Sequence, residues 1–372
     1  MPSKSVYVGL ISGTSLDGVD AVVVDLSNTR PRLIASHIEA YGNHLRSSLR
    51  TLCQSGNNEI DRMGEVDKQV AVTFATACQR VMALAQLTPQ QVTAIGSHGQ
   101  TIRHRPDADN PFTLQIGDPN TIVELTGITT VADFRRRDMA VGGQGAPLVP
   151  ALHQAFFQQP GKKRIVLNLG GIANITCLPD TTAGQITGYD TGPANTLLDG
   201  WIEKHRAVRL DHNGEWARSG RIDSSLLQEL LADPYFQLPA PKSTGREYFT
   251  LDWLQQRLTG HQPSTVDVQA TLVELSAVTI AQAIIGEGYA QSEILVCGGG
   301  AHNHYLLERL GMHLPAASIQ STSAYGVDPD WVEAITFAWL AKRTLSGLNG
   351  NLASVTGAER DVVLGGIYPA SP

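Results

Sequence analysis

Short apolar runs alternate along the chain with polar, glycine-bearing turns, and longer stretches with apolar residues every third or fourth position separate them. Residues 6–11 and 21–26 read as strands around the turn Gly13-Thr14-Ser15-Leu16-Asp17-Gly18-Val19-Asp20. Residues 164–169 and 175–178 repeat the arrangement around Gly170-Gly171-Ile172-Ala173-Asn174. Val66, Val70, Phe74, Ala77, Val81 and Leu84 form a helical stripe ahead of a strand at 92–96. A second helix covers 267–285, with Asp267 as its N-cap, and a third covers 331–345, stopped by Gly347. Further short strands are expected at 128–132, 186–189 and 294–297. Strands alternating with helices in this way predict an α/β protein.

The turns carry the candidate chemistry. Glycine, serine and threonine at a strand–turn–strand junction can aim backbone N–H groups at an anion. Asp17 or Asp20 would repel a bare phosphate, so the first turn suits a divalent cation held between carboxylate and ligand. An ordinary hairpin turn uses the same residue types. The second turn, about 160 residues on, changes the balance, because two similar halves can clamp a nucleotide across a cleft. Gly298-Gly299-Gly300, between strand 294–297 and a helical stretch, allows the close backbone approach that a purine-ribose face needs.

Three glycine turns in this order resemble the two phosphate loops and adenosine loop of the sugar-kinase, Hsp70 and actin group of ATPases. SGTSLDGVDAVVVDL from Ser12, GSHGQTIRH from Gly96, LQIGDPN from Leu114 and VADFRRRDMAVGGQGAPLVP from Val131 resemble, more narrowly, the anhydro-N-acetylmuramic acid kinase family. NLGGIANIT from Asn168, YDTGPANTLLD from Tyr189, PKSTGREYF from Pro241, CGGGAHN from Cys297 and VDPDWVEAITFAWLA from Val327 extend that match over essentially the whole chain. The resemblance implies a two-domain, ribonuclease H-like fold with an interdomain cleft. Residues 1–130 would carry the first phosphate loop and part of the sugar site, with the C-terminal helix free to pack back on them. Residues 131–372 would carry the second loop, the catalytic aspartate and the adenosine loop. It implies ATP as co-substrate, Mg²⁺ with Asp17 as its ligand, a homodimer, and a role in cytoplasmic murein recycling and amino-sugar catabolism.

Asp190 ends the short strand 186–189 and precedes Thr191-Gly192-Pro193-Ala194-Asn195, which opens a helix. A carboxylate there can cap the helix, although Thr191 could do so with Pro193 in the first turn. The resemblance makes Asp190 the general base. Glu333 lies in the first turn of the third helix, where it suits the helix dipole, and the resemblance gives it a sugar-binding or water-orienting role. His98, between Gly96 and Gly99, has Gln100, Thr101 and Arg103 close by. Polar side chains clustered at a strand end suit sugar hydroxyls, and Gln115 joins His98, Gln100 and Thr101 as a substrate candidate. One of Arg135, Arg136 and Arg137 could meet the carboxylate of an acidic sugar through its planar fork. His302 and His304 form an HxH pair read as surface or capping histidines.

The implied reaction converts 1,6-anhydro-N-acetylmuramic acid, water and ATP to N-acetylmuramic acid 6-phosphate and ADP. Readings left open are a levoglucosan-type kinase, a conventional sugar kinase, and an ATP-binding module without a sugar acceptor. No P-loop lysine motif, GxGxxG fingerprint or G-x-S-x-G elbow occurs. A net charge of −7 disfavours nucleic acid and anionic membranes. With 42% hydrophobic and 17% charged residues the chain can bury two cores. Cys53, Cys78, Cys177 and Cys297 form no CxxC pair. No signal peptide or membrane span is expected.

Overall fold

The computed structural model describes residues 5–240 and 242–371; Pro241, which opens the PKSTGREYF segment, lies outside the described residues. Strands β1 (Val6–Ser12) and β2 (Gly18–Asp25) form an antiparallel hairpin, and β3 (Arg32–Ala40) adds beside β2. Gly18, Val19 and Asp20 therefore belong to the second strand and not to the turn. Gly18 is required by the approach of β3, because a Cβ there would lie 2.3 Å from the Glu39 carbonyl oxygen. Helix α1 (Glu59–Leu84) covers one face of the sheet. Val66, Val70, Phe74, Ala77 and Val81 join Val8, Leu10, Val19, Ala21 and Val23 in one core, while Leu84, the last helical residue, is exposed. β4 (Ala94–Arg105) runs parallel to β1, β5 (Phe112–Ile116) folds back antiparallel on β4, and β6 (Thr130–Ala132) is parallel to β4. Helix α2 (Phe134–Met139) follows at once.

The chain next builds a second sheet. β7 (Arg164–Leu169), β8 (Ile172–Leu178) and β9 (Thr187–Pro193) form an antiparallel meander, so Asn174 lies in a strand and only Gly170 and Gly171 remain as the turn. Helix α3 (Asn195–Arg206) follows β9. Helix α4 (Thr265–Gly286) is capped by Ser264, whose Oγ accepts from the Asp267 N–H at 3.3 Å. Asp267 is thus inside the first turn, where its carboxylate accepts from the Arg221 N–H at 2.7 Å. By length and hydropathy α4 could cross a membrane, contrary to the expectation from sequence, but 78% of its most apolar window is buried. Its Leu272, Leu275 and Ile280 belong to the core beneath the second sheet. β10 (Glu293–Cys297) is parallel to β7, and β11 (Ser318–Ser321) is parallel to β10.

Helix α5 (Val332–Leu345) and β12 (Gly366–Tyr368), antiparallel to β6, return to the first sheet. The first sheet has the order β12-β6-β4-β1-β2-β3 with β5 on β4, and the second β11-β10-β7-β8-β9. Read from the third strand of each meander, both run through two antiparallel pairings and then two parallel ones, after which the first sheet adds the antiparallel β12. The two sheets with the helices between their strands make the mixed α/β fold that the alternation of strands and helices predicts.

The chain divides into two compact units: unit 1 holds the residues up to Leu152 and those from Trp331 onward, and unit 2 is His153–Asp330. The division thus falls after residue 152, not 130, because β6 pairs with β4 and keeps the following segment in unit 1.

α5 lies against the sheet backbone itself. A Cβ at Gly9 would sit 1.9 Å from the Ala334 carbonyl oxygen, and one at Gly96 1.9 Å from that of Phe337. Gly96→Ala should therefore cost roughly 3 kcal/mol or more, since backbone must move. Gly64→Ala, in the exposed interior of α1 with nothing near its Cβ position, should stabilise by about 1 kcal/mol. Urea unfolding of the two variants checks the opposite signs.

Candidate active site

In unit 1 the site grows from an irregularity in β4. Leu10 and Ser12 pair with Ser97 and Gln100, so β4 carries one residue more than β1 over this step. Gly99 takes φ +78° there. Such a bulge re-aims the side chains beside it. His98 is consequently a buried residue inside a long strand, not a strand-end residue. Its Nδ1 is 2.9 Å from the Gly99 carbonyl oxygen and must donate, leaving Nε2 to accept from Arg135 Nε at 2.9 Å. Burial first, and then the Arg135 charge, hold its pKa well below the ordinary value. The Phe337 ring of α5 lies 4.6 Å from the imidazole.

Arg135 separates from its two neighbours. Its Nη1 donates to the Gly145 carbonyl at 2.8 Å, and burial lowers its pKa to about 10 against the opposing charges of Glu333 and Asp138. Arg136 turns out to Asp133, and Arg137 is exposed. Glu333, in the first turn of α5, stays accessible to solvent, yet the protein around it raises its carboxyl above the usual range, with Arg135 opposing. His98, Arg135 and Glu333 form one electrostatic group.

The other unit 1 candidates divide by what they touch. Gln100 is fully buried and its amide is committed to the first turn: Nε2 donates to the Gly13 carbonyl at 3.1 Å, and Oε1 accepts from Ser12 Oγ at 2.6 Å. Gln115 Nε2 donates to Thr101 Oγ1 at 3.1 Å and to Thr113 Oγ1 at 2.7 Å. In the turn, Gly13, Thr14 and Asp17 are exposed and Ser15 is half-buried, while the Leu16 and Val19 side chains are in the core. The residue with positive φ is Leu16, at 57°, and neither Gly13 nor Gly18. The Asp17 carboxylate accepts from Arg46 Nη2 at 2.5 Å.

Unit 2 has a matching irregularity. Ala173 pairs with Gly192 but Asn174 with Asp190, so Thr191 is the extra residue of β9. Asp190 therefore lies within a strand, and Ala194 is the N-cap of α3. Thr191 is buried and donates to the Ala173 carbonyl at 3.2 Å, and Pro193 ends β9, so the helix-capping reading of this segment is replaced. Asp190 Oδ2 accepts from the Thr244 N–H at 3.0 Å and from Ser243 Oγ at 3.1 Å. The Asp190 N–H donates to the Lys242 carbonyl at 3.1 Å, and Tyr235 OH donates to the Asp190 carbonyl at 2.7 Å. Oδ1 has no hydrogen-bond partner among the described residues. Burial raises the Asp190 pKa, against the Thr244 and Ser243 hydrogen bonds.

The register places Asp190 opposite Asn174, Asn174 opposite Asn168, and Asn168 opposite Cys297, ahead of Gly298. Gly170 and Gly171 close the β7–β8 turn, and their carbonyls accept from the Asn195 N–H at 3.1 Å and the Thr196 N–H at 3.0 Å. The Gly298 N–H donates to the Pro329 carbonyl at 2.8 Å, and Gly299 and Gly300 open a single 3₁₀ turn. His302 Nε2 pairs with the Asp330 carboxylate at 2.9 Å, and no cluster of three metal-ligating side chains exists among the described residues.

The profile of the anhydro-N-acetylmuramic acid kinase family matches residues 5–370. The chain belongs to the anhydro-N-acetylmuramic acid kinase family. Its relative of that description in Shewanella baltica strain OS185 is 53% identical over 365 residues, 98% of each chain. The one in Shewanella oneidensis is 51% identical over 369 residues, 99% of this chain and 100% of that protein. Among solved structures, the activator of the 2-hydroxyisocaproyl-CoA dehydratase from Clostridium difficile with bound ADPNP covers 94% of this chain and 100% of its own. Its TM-score is 0.48 at 12% identity.

As a member of the anhydro-N-acetylmuramic acid kinase family the chain is a kinase, an enzyme of carbohydrate metabolism. Sequence reasoning missed Ser243 and Thr244, which anchor Asp190 from more than 50 residues away. Their signal was the PKSTGREYF segment, which contains both residues but gave neither a role. It also left Arg135 undistinguished within its triplet.

His98 should stay neutral, as the Nδ1–H tautomer, from pH 8 down to pH 5. Heteronuclear NMR of the imidazole nitrogens checks this, and a midpoint near the free value of about 6.5 would refute the Arg135–His98 arrangement.

Proposed function

We propose that the chain converts 1,6-anhydro-N-acetylmuramic acid, water and ATP to N-acetylmuramic acid 6-phosphate and ADP, in cell-wall recycling. The supporting observation is the Asp190 carboxylate, with Oδ2 held by two donors and Oδ1 without a hydrogen-bond partner among the described residues. A base must be both aimed and unspent, and this geometry meets both needs. In the anhydro sugar O6 is bonded to C1 and has no proton to lose. Water attacks C1 and gives its proton to Asp190; the C1–O6 bond breaks; O6 bonds to the terminal phosphorus as the bond to ADP breaks. An attack of this kind on the face opposite O6 parallels that of an inverting glycosidase.

In this reading Arg135 meets the acid group of the sugar. Two of its guanidinium nitrogens are placed by His98 and Gly145, and Nη2 has no hydrogen bond among the described residues. Glu333 orients the sugar or the water from the same group. The turns at 13–17, 170–171 and 298–300 hold the nucleotide, with Asn174 beside Asp190. Mg²⁺ arriving with ATP needs only one or two protein oxygens, and Asp17, exposed beside Arg46, fits that requirement. Bound there, the cation supplies charge neutralisation for the transferring phosphoryl group. The homodimer and cytoplasmic location that the family resemblance implies belong to the same proposal.

Asp190→Asn should retain sugar and ATP binding by calorimetry while kcat falls roughly 10²- to 10⁴-fold. In ¹⁸O-labelled water the heavy oxygen should appear on C1 and not in the phosphate, read by mass spectrometry. Label in the phosphate, or parental turnover in the variant, would sink the mechanism.

The same base predicts the pH dependence. Only the ionised carboxylate accepts a proton, and burial raises its pKa. The kcat/KM profile should therefore lose activity as pH falls through a limb above the ~3.9 of a free aspartate, with a plateau on the alkaline side of that limb.

A further inference from the structure

The second glycine turn has a cationic neighbour that the reaction scheme above does not use. An atom at the Cβ position of Gly171 would lie 2.5 Å from Arg246 Nε, 2.9 Å from Arg246 Nη2 and 2.7 Å from Thr196 Oγ1. A guanidinium edge and a hydroxyl thus converge on one point above the turn. Thr196 Oγ1 is buried without a hydrogen-bond partner, an arrangement that calls for an explanation. Arg246 makes no hydrogen bond or ion pair among the described residues, although the Asp199 carboxyl, one helical turn beyond Thr196 on α3, feels its charge. The first N–H groups of α3 are not available instead, because those of Ala194, Asn195 and Thr196 donate to the Gly170 and Gly171 carbonyls. An anion at this turn must therefore find its donors in side chains.

Which anion follows from the backbone. Arg246 stands two residues after Thr244, whose N–H holds the Asp190 carboxylate at 3.0 Å. Base and guanidinium thus share one short segment. The phosphoryl group that must come near the sugar attacked under Asp190 is the one transferred.

Resting on the kinase reading above, we propose that Arg246 is a phosphoryl-contacting residue, whose guanidinium, with the Thr196 hydroxyl, receives the terminal phosphoryl group of ATP over Gly171. A planar fork suits two phosphate oxygens, and charge placed on a transferring phosphoryl acts mainly in the transition state.

The test uses the full chain with Arg246→Ala, Arg246→Lys and Thr196→Val. Turnover is followed with 1,6-anhydro-N-acetylmuramic acid and ATP, and binding of ADP and of a non-hydrolysable ATP analogue by calorimetry. Arg246→Ala should lower kcat by roughly 10²- to 10³-fold, weaken the analogue about tenfold, and leave ADP affinity within about twofold. Arg246→Lys should recover part of kcat through its charge, and Thr196→Val should lower kcat less than Arg246→Ala. If Arg246→Ala does not fold, Arg246→Lys decides, a tenfold loss of kcat with ADP binding intact supporting the contact. Turnover within threefold of the parent in both Arg246 variants would overturn it, as would equal weakening of ADP and the analogue. Should the parent itself release no ADP with this sugar, the functional reading fails, while the analogue-against-ADP comparison still reads the Arg246 contact.

Discussion

The arrangement of unit 1 depends on how closely helix α5 approaches the sheet. At Gly9 and Gly96 the helix carbonyls occupy the space where side chains would stand. This backbone-on-backbone contact sets the height and rotation of the helix, and with them the positions of Phe337 against His98 and of Glu333 near Arg135. Lys342 then donates to the Leu26 carbonyl at 2.5 Å, and Thr344 to that of Leu364 at 2.6 Å, fixing the far end of the helix. A helix standing off by the width of a methyl group would keep the core but lose the electrostatic group at its first turn.

The two sheets repeat one strand order, and each carries a bulge beside its leading site residue: His98-Gly99 in β4 and Thr191 in β9. Regular pleating would alternate these side chains between faces. The extra residue breaks that alternation locally while the rest of each strand continues to feed a core. The result is polar chemistry at a place where the neighbouring positions are apolar. Both bulges are backed by hydrogen bonds to other segments, Arg135 to His98 and residues 242–244 to Asp190.

Burial then tunes the groups so placed. It raises the carboxyl of Asp190 and lowers His98 and Arg135, while the protein around the solvent-accessible Glu333 raises that carboxyl too. Each shift is opposed by a specific neighbour, at His98 by the hydrogen bond to the Gly99 carbonyl, although the Arg135 charge there adds to the lowering. His98 is thereby held neutral, with Nε2 accepting from the Arg135 guanidinium. Asp190 has a raised affinity for protons, with Oδ2 anchored by Ser243 and Thr244 and Oδ1 without a hydrogen-bond partner among the described residues.

Periodicity located β1, β2, β7, β10 and the helices α4 and α5 to within a few residues, and α1 except for its first two turns (59–65), because each buries a continuous face and a face leaves its spacing in the sequence. The glycine turns were legible for the same reason: they interrupt apolar runs. Helix caps were less so, and Ser264 took the place expected of Asp267, since a cap is decided by which oxygen reaches the free N–H groups. Register was not legible at all. The extra residues at 98–99 and 191 exist only relative to partner strands, and pairing β1 with β4 spans about 90 residues of chain. The same holds for side-chain partnership. A run of three arginines looks uniform in sequence, and only the turn of α2 sends Arg135 inward and Arg136 out. The sequence by itself determined where strands and helices form and which chemistry the turns could hold. The tertiary structure decided which carboxylate oxygen lacks a partner among the described residues and which arginine turns inward, because those depend on atoms brought together from distant parts of the chain.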